Sequence, residues 1–459
     1  MSSRLAAFAV AIAIGSLIGT SAVNAQTPAQ WRAEQLTASR QSEAIMKDAD
    51  SHKGLLGQYL AMRLAYLHGK GNAFHLIFGQ YFSWYQTYIG DYPAAAASFS
   101  ISQPPEPDDR PSPLSGDEYV ARPAVDAIPE LAKNVRAVFF NEAHNVVLTR
   151  SLTVPILARL RHEGFNYFAA ETLYQTDIKK LRDRGYPIRA SGFYTREPVS
   201  AEMVRTALKL GFKVVAYEAL SDATGDAREK EQAQNLYREV FAKDPKAHLV
   251  VDAGYAHITE SGKYLGGSSM AEHLHEITGI DPLTIEQTML VPHPASRDDH
   301  PYYTAVMAKL KPQQPLVFID KKGHPWSLRP GYDVSVYFPV QQLHRGRPTW
   351  LTLGGLRQRY TVNADSCHRD FPCLVEARYA DESEDAIPAD RLLLDPTLLN
   401  SESSHRFDGP KTDNTGDFYL RPGKYKLKYV DSDDHVISRQ RMTIKGPPSS
   451  ADRSNGEGR

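Results

Sequence analysis

The stretch Arg136-Ala-Val-Phe-Phe-Asn-Glu-Ala-His-Asn145 decides how the chain is read. Its apolar run, Val135 to Phe140, stops abruptly at Asn141, Glu142 and His144, and a helical pattern follows. Val-Phe-Phe reads as a strand buried on both faces. A carboxylate and an imidazole two residues apart extend from its end. In open parallel sheets, ligands sit at the carboxyl ends of the strands. The stretch therefore predicts a sheet edge that carries a site.

The alternation continues downstream. Val147 to His162 is a helix punctuated by Gly164, and Tyr167 to Ala170 a second strand ending at Glu171. Helices over Ile178 to Arg184 and Glu202 to Leu210 lead to a third strand, Lys213 to Tyr217, ending at Glu218. Arg228 to Lys243 is a polar helix. His248 to Asp252 is a fourth strand, followed by Tyr255 and His257. Met270 to Thr278 is a helix and Leu283 to Glu286 a fifth strand. Strands alternating with helices of this length imply βαβ units with right-handed crossovers and a mostly parallel sheet flanked by helices. The α/β core domain is expected over 124–325.

The flanks differ in texture. A helical N-terminal region is expected over 26–101. Within it Phe74, Phe78, Phe82, Tyr85 and Ile89 recur at helical spacing, which is the signature of core packing. A Pro-rich linker, 102–123, holds five prolines between 102 and 118. From 330 to 446 short alternating segments such as Asp333–Phe338, Arg359–Val362, Leu374–Tyr379 and Tyr425–Val430 suggest an all-β, sandwich-like domain. Residues 447–459 read as a disordered polar tail. At the other end, Arg4, the apolar run Leu5 to Ile18 and Val23-Asn24-Ala25 have the make-up of a signal peptide over 1–25. Gln26 would be the mature start, and the protein periplasmic or secreted. That apolar run is shorter than the about 20 residues of a membrane anchor, and no later stretch is long enough to span.

Composition narrows the partners. The 459 residues carry 53 Lys plus Arg against 54 Asp plus Glu, a net charge of −1, which offers no overall footprint for nucleic acid or an anionic membrane. Cys367 and Cys373 are the two cysteines. In an oxidising compartment they are expected to form a local disulfide, since no further ligands at metal-binding spacing surround them.

Four strand ends thus carry Glu142 with His144, Glu171, Glu218, and Tyr255 with His257. His144 beside a carboxylate has the make-up of a general base. His257 would act as acid, second base or ligand. Two His and several Glu also suit a divalent metal holding a water. Arg196 and Arg228 are candidates for an anionic group or a developing oxyanion, and Arg228 near a helix start calls for an anion partner. Tyr255 offers a hydroxyl. The bland readings are helix caps for Glu171 and Glu218, a satisfied structural His257 and solvated arginines. His273 and His275, two apart on a helix, do not face together and read as surface residues.

Asn141-Glu-Ala-His144, the helix ending at Gly164, and Phe168-Ala-Ala-Glu171 together resemble the core signature of the erythromycin esterase, ChaN and Tiki superfamily. Gly254-Tyr-Ala-His257 is similar to its second histidine segment. The likeness covers about 135 to 290, and Asn141 stands where many members have Gly. It implies Glu142, His144, Glu171 and His257 as functional residues. It also implies hydrolysis of an ester or amide, by metal-free or metal-dependent chemistry, on a small-molecule or peptide substrate. The second implied reading is a periplasmic binding protein that holds haem or a metal at the same pocket without turnover. Apart from the resemblance, a third reading is a decayed pocket with the β domain acting as a partner-binding module.

Overall fold

A computed structural model describes residues 27–395 and 415–446. The expected signal peptide at 1–25 and polar tail at 447–459 lie outside them. The chain is a mixed α/β fold with a six-stranded parallel sheet, an N-terminal helical region and C-terminal antiparallel strands.

Four helices come first: α1 (Pro28–Ala49), α2 (Gly54–His68), α3 (Asn72–Tyr88) and α4 (Tyr92–Ser98). Thr27 and Gln30 form a capping box that starts α1. On α3 the rings at four-residue steps are buried and stacked, with centroids 5.1 Å apart for Phe74–Phe78 and 6.4 Å for Phe78–Phe82. Helices α1, α2 and α3 share one apolar cluster with Leu374 and Val430 of the C-terminal strands and with Tyr194. The aromatic stripe is core.

The core begins with β1 (Tyr119–Pro123), α5 (Ala124–Leu131) and β2 (Ala137–Glu142). It continues through α6 (Arg150–His162), β3 (Tyr167–Ala170), α7 (Ile178–Arg184), α8 (Pro198–Lys209) and β4 (Lys213–Val215). Then follow α9 (Asp226–Leu236), β5 (Leu249–Gly254), α10 (Met270–Thr278), β6 (Leu283–Glu286), α11 (Pro301–Leu310), β7 (Leu316–Asp320) and β8 (Val334–Ser335). The sheet order is β4-β3-β5-β2-β6-β8, with every pairing parallel. Successive residues of a strand point to opposite faces. Val138, Phe140, Phe168 and Val250 accordingly pack with α6 and α8, while Phe139, Ala169, Leu249 and Val251 pack with α9 and α10. Two apolar layers cover the sheet, which is why the strands read as unbroken hydrophobic runs.

The C-terminal part holds the hairpin β9 (Leu343–His344) and β10 (Arg347–Pro348), then β11 (Gln358–Asn363), β12 (Cys373–Tyr379), β13 (Asp390–Leu394), β14 (Thr415–Leu420), β15 (Gly423–Val430) and β16 (Val436–Ile444). A four-stranded antiparallel sheet, β13-β12-β15-β16, and the β11-β14 pair bury a common core of Val362, Phe418, Val375 and Leu427. Cys367 and Cys373 are joined by a disulfide with Cα atoms 6.0 Å apart.

Three expectations need correction. Val334–Ser335, expected to open the β domain, pairs parallel with Ile285–Glu286 and completes the core sheet. Tyr119–Pro123, placed in the linker, is a strand paired antiparallel with Leu316–Asp320. The Pro-rich segment before it is packed down. Arg110 N donates to Leu328 O at 2.7 Å, and Asp109 binds Arg329 at 2.8 Å and His300 at 3.0 Å. His273, expected at the surface, is buried against Asp226 at 2.9 Å.

Buried ion pairs weld the β domain to the core. Arg205 of α8 holds Glu382 through two bonds of 2.7 and 2.6 Å. Glu202, also on α8, takes Arg421 and the Tyr379 hydroxyl, with Arg357 3.7 Å away. Removing one partner of such a pair costs about 3–5 kcal/mol, because the other charge stays buried.

Candidate active site

Parallel pairing brings the polar strand ends together. Glu142 lies opposite Gly254 in the β2–β5 register, and Ala170 lies opposite Asp252 in the β3–β5 register. Glu171, one residue past β3, therefore falls beside the Gly254–His257 segment. Its Oε2 accepts the Gly254 N–H at 2.6 Å. Gly254 is needed for close approach, since a Cβ there would collide with the His144 ring and the Glu171 carboxylate. Thr172 and Tyr255, immediately after these two residues, both hold left-handed backbone, at φ 61° and 46°. Such conformations cost on the order of 1–3 kcal/mol each and collect at functional sites.

Two imidazoles flank Glu171. His144 Nδ1 lies 3.1 Å from Glu142 Oε1, and its Nε2 lies 3.9 Å from Glu171 Oε2. His257 Nδ1 lies 2.6 Å from Glu229 Oε2, and its Nε2 lies 3.6 Å from Glu171 Oε1. Each ring is thus anchored through Nδ1 by its own carboxylate and aims Nε2 at one oxygen of a shared third carboxylate. Both Nε2 gaps exceed a hydrogen bond, so neither nitrogen is committed to Glu171. Tyr194 stacks on the His144 ring at 4.1 Å and 20°, and Tyr255 meets it edge-on at 5.1 Å. Tyr264 meets His257 edge-on at 5.1 Å.

Two arginines offset part of this negative charge. Arg150, at the start of α6, binds both Glu142 oxygens, one of them at 2.6 Å, and reaches Glu197 at 3.3 Å. Arg228 lies 2.8 Å from Glu218, 3.5 Å from Glu171 and 3.9 Å from Glu229. Burial opposes the Glu142 charge, but Arg150 and His144 outweigh it and hold this carboxyl well below the usual range. Burial likewise opposes the Glu171 charge, and His257, His144, Arg228 and the Gly254 N–H hold it low. For His257 burial favours the neutral ring, yet Glu229 and Glu171 prevail and raise its pKa. Asp252, buried on β5, is driven the other way: desolvation first, then the Glu142 charge, push its carboxyl well above the usual range.

The eight residues expected from the sequence separate into three groups. Glu142, His144, Glu171 and His257 converge. Glu218, Arg228 and Tyr255 form the surrounding wall. Glu218 is engaged with Arg228 and with Gln232 at 2.7 Å, and Arg228 finds its anion partners as expected. Arg196 stands apart, with its guanidinium over the Phe193 ring at 5.3 Å and its carbonyl accepting from Arg391 at 2.7 Å. Sequence reasoning missed Glu229, Arg150 and Tyr194. Arg150 could have been found by the argument applied to Arg228, a cation at a helix start. Asn141 ties the loops at this sheet edge together. Its side chain donates to Tyr255 O at 2.9 Å and accepts from Gln287 N at 2.6 Å, fixing the loop after β5.

The two histidine Nε2 atoms and Glu171 are the donors that a metal ion would take. Among the described residues no group of three or more His, Cys, Asp or Glu is arranged to hold an ion. Arg150 already claims both Glu142 oxygens, while each histidine is held through Nδ1 by a carboxylate and leaves Nε2 to a ligand. Haem does not fit, because both Nε2 atoms face a carboxylate rather than an apolar slot.

No protein-family model matches the chain. No curated protein matches it either. Among solved structures, the type III effector HopBA1 superposes with a TM-score of 0.31 at 11% identity, over 51% of this chain and 100% of that one. A structure described as bacterial protein toxins gives 0.26 at 11% identity, over 57% and 68%. RRSP, a MARTX toxin effector domain from Vibrio vulnificus CMCP6, gives 0.25 at 12% identity, over 57% and 66%.

Proposed function

We propose that the protein is a hydrolase that activates water at this strand edge to cleave an ester or amide bond in a small-molecule or peptide substrate. The observation that carries the proposal is the relay Glu142–His144, Glu171, His257–Glu229, in which both Nε2 atoms face one carboxylate. With Glu142 ionised, neutral His144 keeps its proton on Nδ1 and presents Nε2 as base. Water sits against His144 Nε2 and a Glu171 oxygen. As its oxygen attacks the carbonyl carbon, its proton passes to Nε2. Arg228 and protonated His257 stabilise the oxyanion. On collapse, the leaving oxygen or nitrogen takes the His257 Nε2 proton. Glu171, between the rings, returns the proton from His144 to His257. Such positioned proton transfers contribute about 10²- to 10⁴-fold.

The same reading places the protein in the periplasm or outside the cell. It rests on the signal-peptide pattern and is supported by the Cys367–Cys373 disulfide, a bond that persists in oxidising compartments. Among the described residues no helix is long and apolar enough to cross a membrane.

The test is His144→Ala in a broad ester and peptide hydrolysis screen. Loss of turnover with an unchanged far-UV spectrum is expected. Full activity in the variant would refute the assignment.

A further inference from the structure

The outer face of the C-terminal sheet carries an arrangement that sheet energetics disfavour. Along β15, Tyr425, Leu427 and Tyr429 point into the core, so Lys424, Lys426 and Lys428 point out. The register sets Arg378 opposite Lys426 and Lys426 opposite Arg441, three cations in one cross-strand row. The next row is Glu376, Lys428 and Arg439. Like charges directly opposite one another destabilise a sheet. Local acids neutralise one end only. Glu376 lies 2.8 Å from Arg378, Glu384 3.4 Å from Lys426, and Asp434 3.6 Å from Lys428. Arg439 and Arg441 are exposed and make no ion pair among the described residues.

The face is also concave. Arg378, Lys426, Lys428, Arg439, Gln440 and Arg441 line a cavity of about 300 Å³, with Glu384 at its rim. Strands lie about 4.8 Å apart, so a three-strand row spreads its charges over roughly 10 Å. That length suits an anion with two or three linked charges better than a single one. Arginine forks match phosphate oxygens in geometry. Among the described residues no aromatic ring lines the cavity, so none supplies the stacking platform that single-stranded nucleic acid uses. A concave wall suits a discrete ligand better than a flat bilayer.

We propose that this face is a binding site for a free oligophosphate, a linear di- or triphosphate, held by Lys426, Arg441 and Arg439. Glu384, close to Lys426, is the carboxylate that the ligand displaces. The site is separate from the strand-edge relay and independent of its function.

The experiment is calorimetric titration of the full chain with inorganic tripolyphosphate, repeated at rising salt. Saturable binding that weakens with salt is expected. Arg441→Gln should weaken it about tenfold, as loss of one charge-assisted contact does. Arg32→Gln, which removes another exposed charge, on α1, should leave it unchanged. Thermal unfolding supplies a second readout of opposite sign. Without ligand, Arg441→Gln should unfold at a higher temperature than wild type because repulsion is relieved. With tripolyphosphate, wild type should gain more than the variant. No binding by wild type, or equal binding by wild type and Arg441→Gln, overturns the proposal. Binding to phosphatidylglycerol vesicles or to a single-stranded oligonucleotide that tripolyphosphate fails to displace also overturns it.

Discussion

Replacing Arg150 by Met probes what the relay depends on. Arg150 is 1% exposed and its guanidinium serves two buried carboxylates, Glu142 and Glu197. Methionine fills similar space but leaves both anions without a cation. Breaking one buried pair costs about 3–5 kcal/mol, and that range is the expected loss here. Glu142→Gln in the same background removes the stranded charge, so the double variant should recover about 1–3 kcal/mol of coupling. The pH dependence fixes the sign. The Glu142 carboxyl titrates lower in the folded chain than in the unfolded one. Its stabilisation is therefore fully present above the unfolded value of about 4.3 and is lost as pH falls through the folded value. Wild type should keep this term at mildly acidic pH, whereas Arg150→Met should lack it already at neutral pH. Urea unfolding at pH 7 and pH 5, followed by tryptophan fluorescence, measures both effects. A loss below about 1 kcal/mol for Arg150→Met, or no recovery in the double variant, would refute the claim that this pair holds Glu142 ionised.

Other outcomes follow from the same geometry. Glu229→Gln keeps the shape around His257 but removes the charge that raises its pKa. The His257 ring resonance in a proton NMR titration should then move to a lower midpoint, and an unchanged midpoint contradicts the anchoring role. For wild type, stabilisation from protonated His257 is fully present below the unfolded value of about 6.5 and fades as pH rises through the folded value; in Glu229→Gln, where only Glu171 still raises the pKa, this slope should shrink in a stability–pH profile. Gly254→Ala should abolish hydrolysis, because the new Cβ would occupy the space of the His144 ring and Glu171; normal turnover in this variant counts against the close packing. Chelation with EDTA should leave hydrolysis unchanged, and activity lost to EDTA but restored by a divalent cation would overturn the metal-free reading.

The layered sheet was legible because β2, β3 and β5 are unbroken apolar runs ending in polar residues, and each end carries its functional group within three positions. Glu142 and His144 could be paired from their spacing alone. Glu229 could not. It sits in a polar helical run, and its burial arises only when α9 packs on β5 and delivers it to His257. Tyr194 depends on a 3-10 turn that hydrogen-bonds to Thr172, a contact across 22 residues with no local pattern. The domain boundary was misplaced for a similar reason. Val334–Ser335 is two residues long, and so short a segment carries no periodicity that tells a parallel sheet edge from the first strand of a sandwich.

The weld between α8 and the β domain bears on how the chain comes into being. Glu202 is made early in synthesis, but Arg421, its hydrogen-bonded partner, follows 219 residues later. Arg205 waits 177 residues for Glu382. Until those strands emerge, the face of α8 that they cover holds unpaired charges and stays hydrated. α8 also carries Glu197 at its start, and Glu197 helps to position Arg150. On this reading α8, which also positions Arg150 through Glu197, gains its full set of buried partners only after the segments carrying Glu382 and Arg421 have been made.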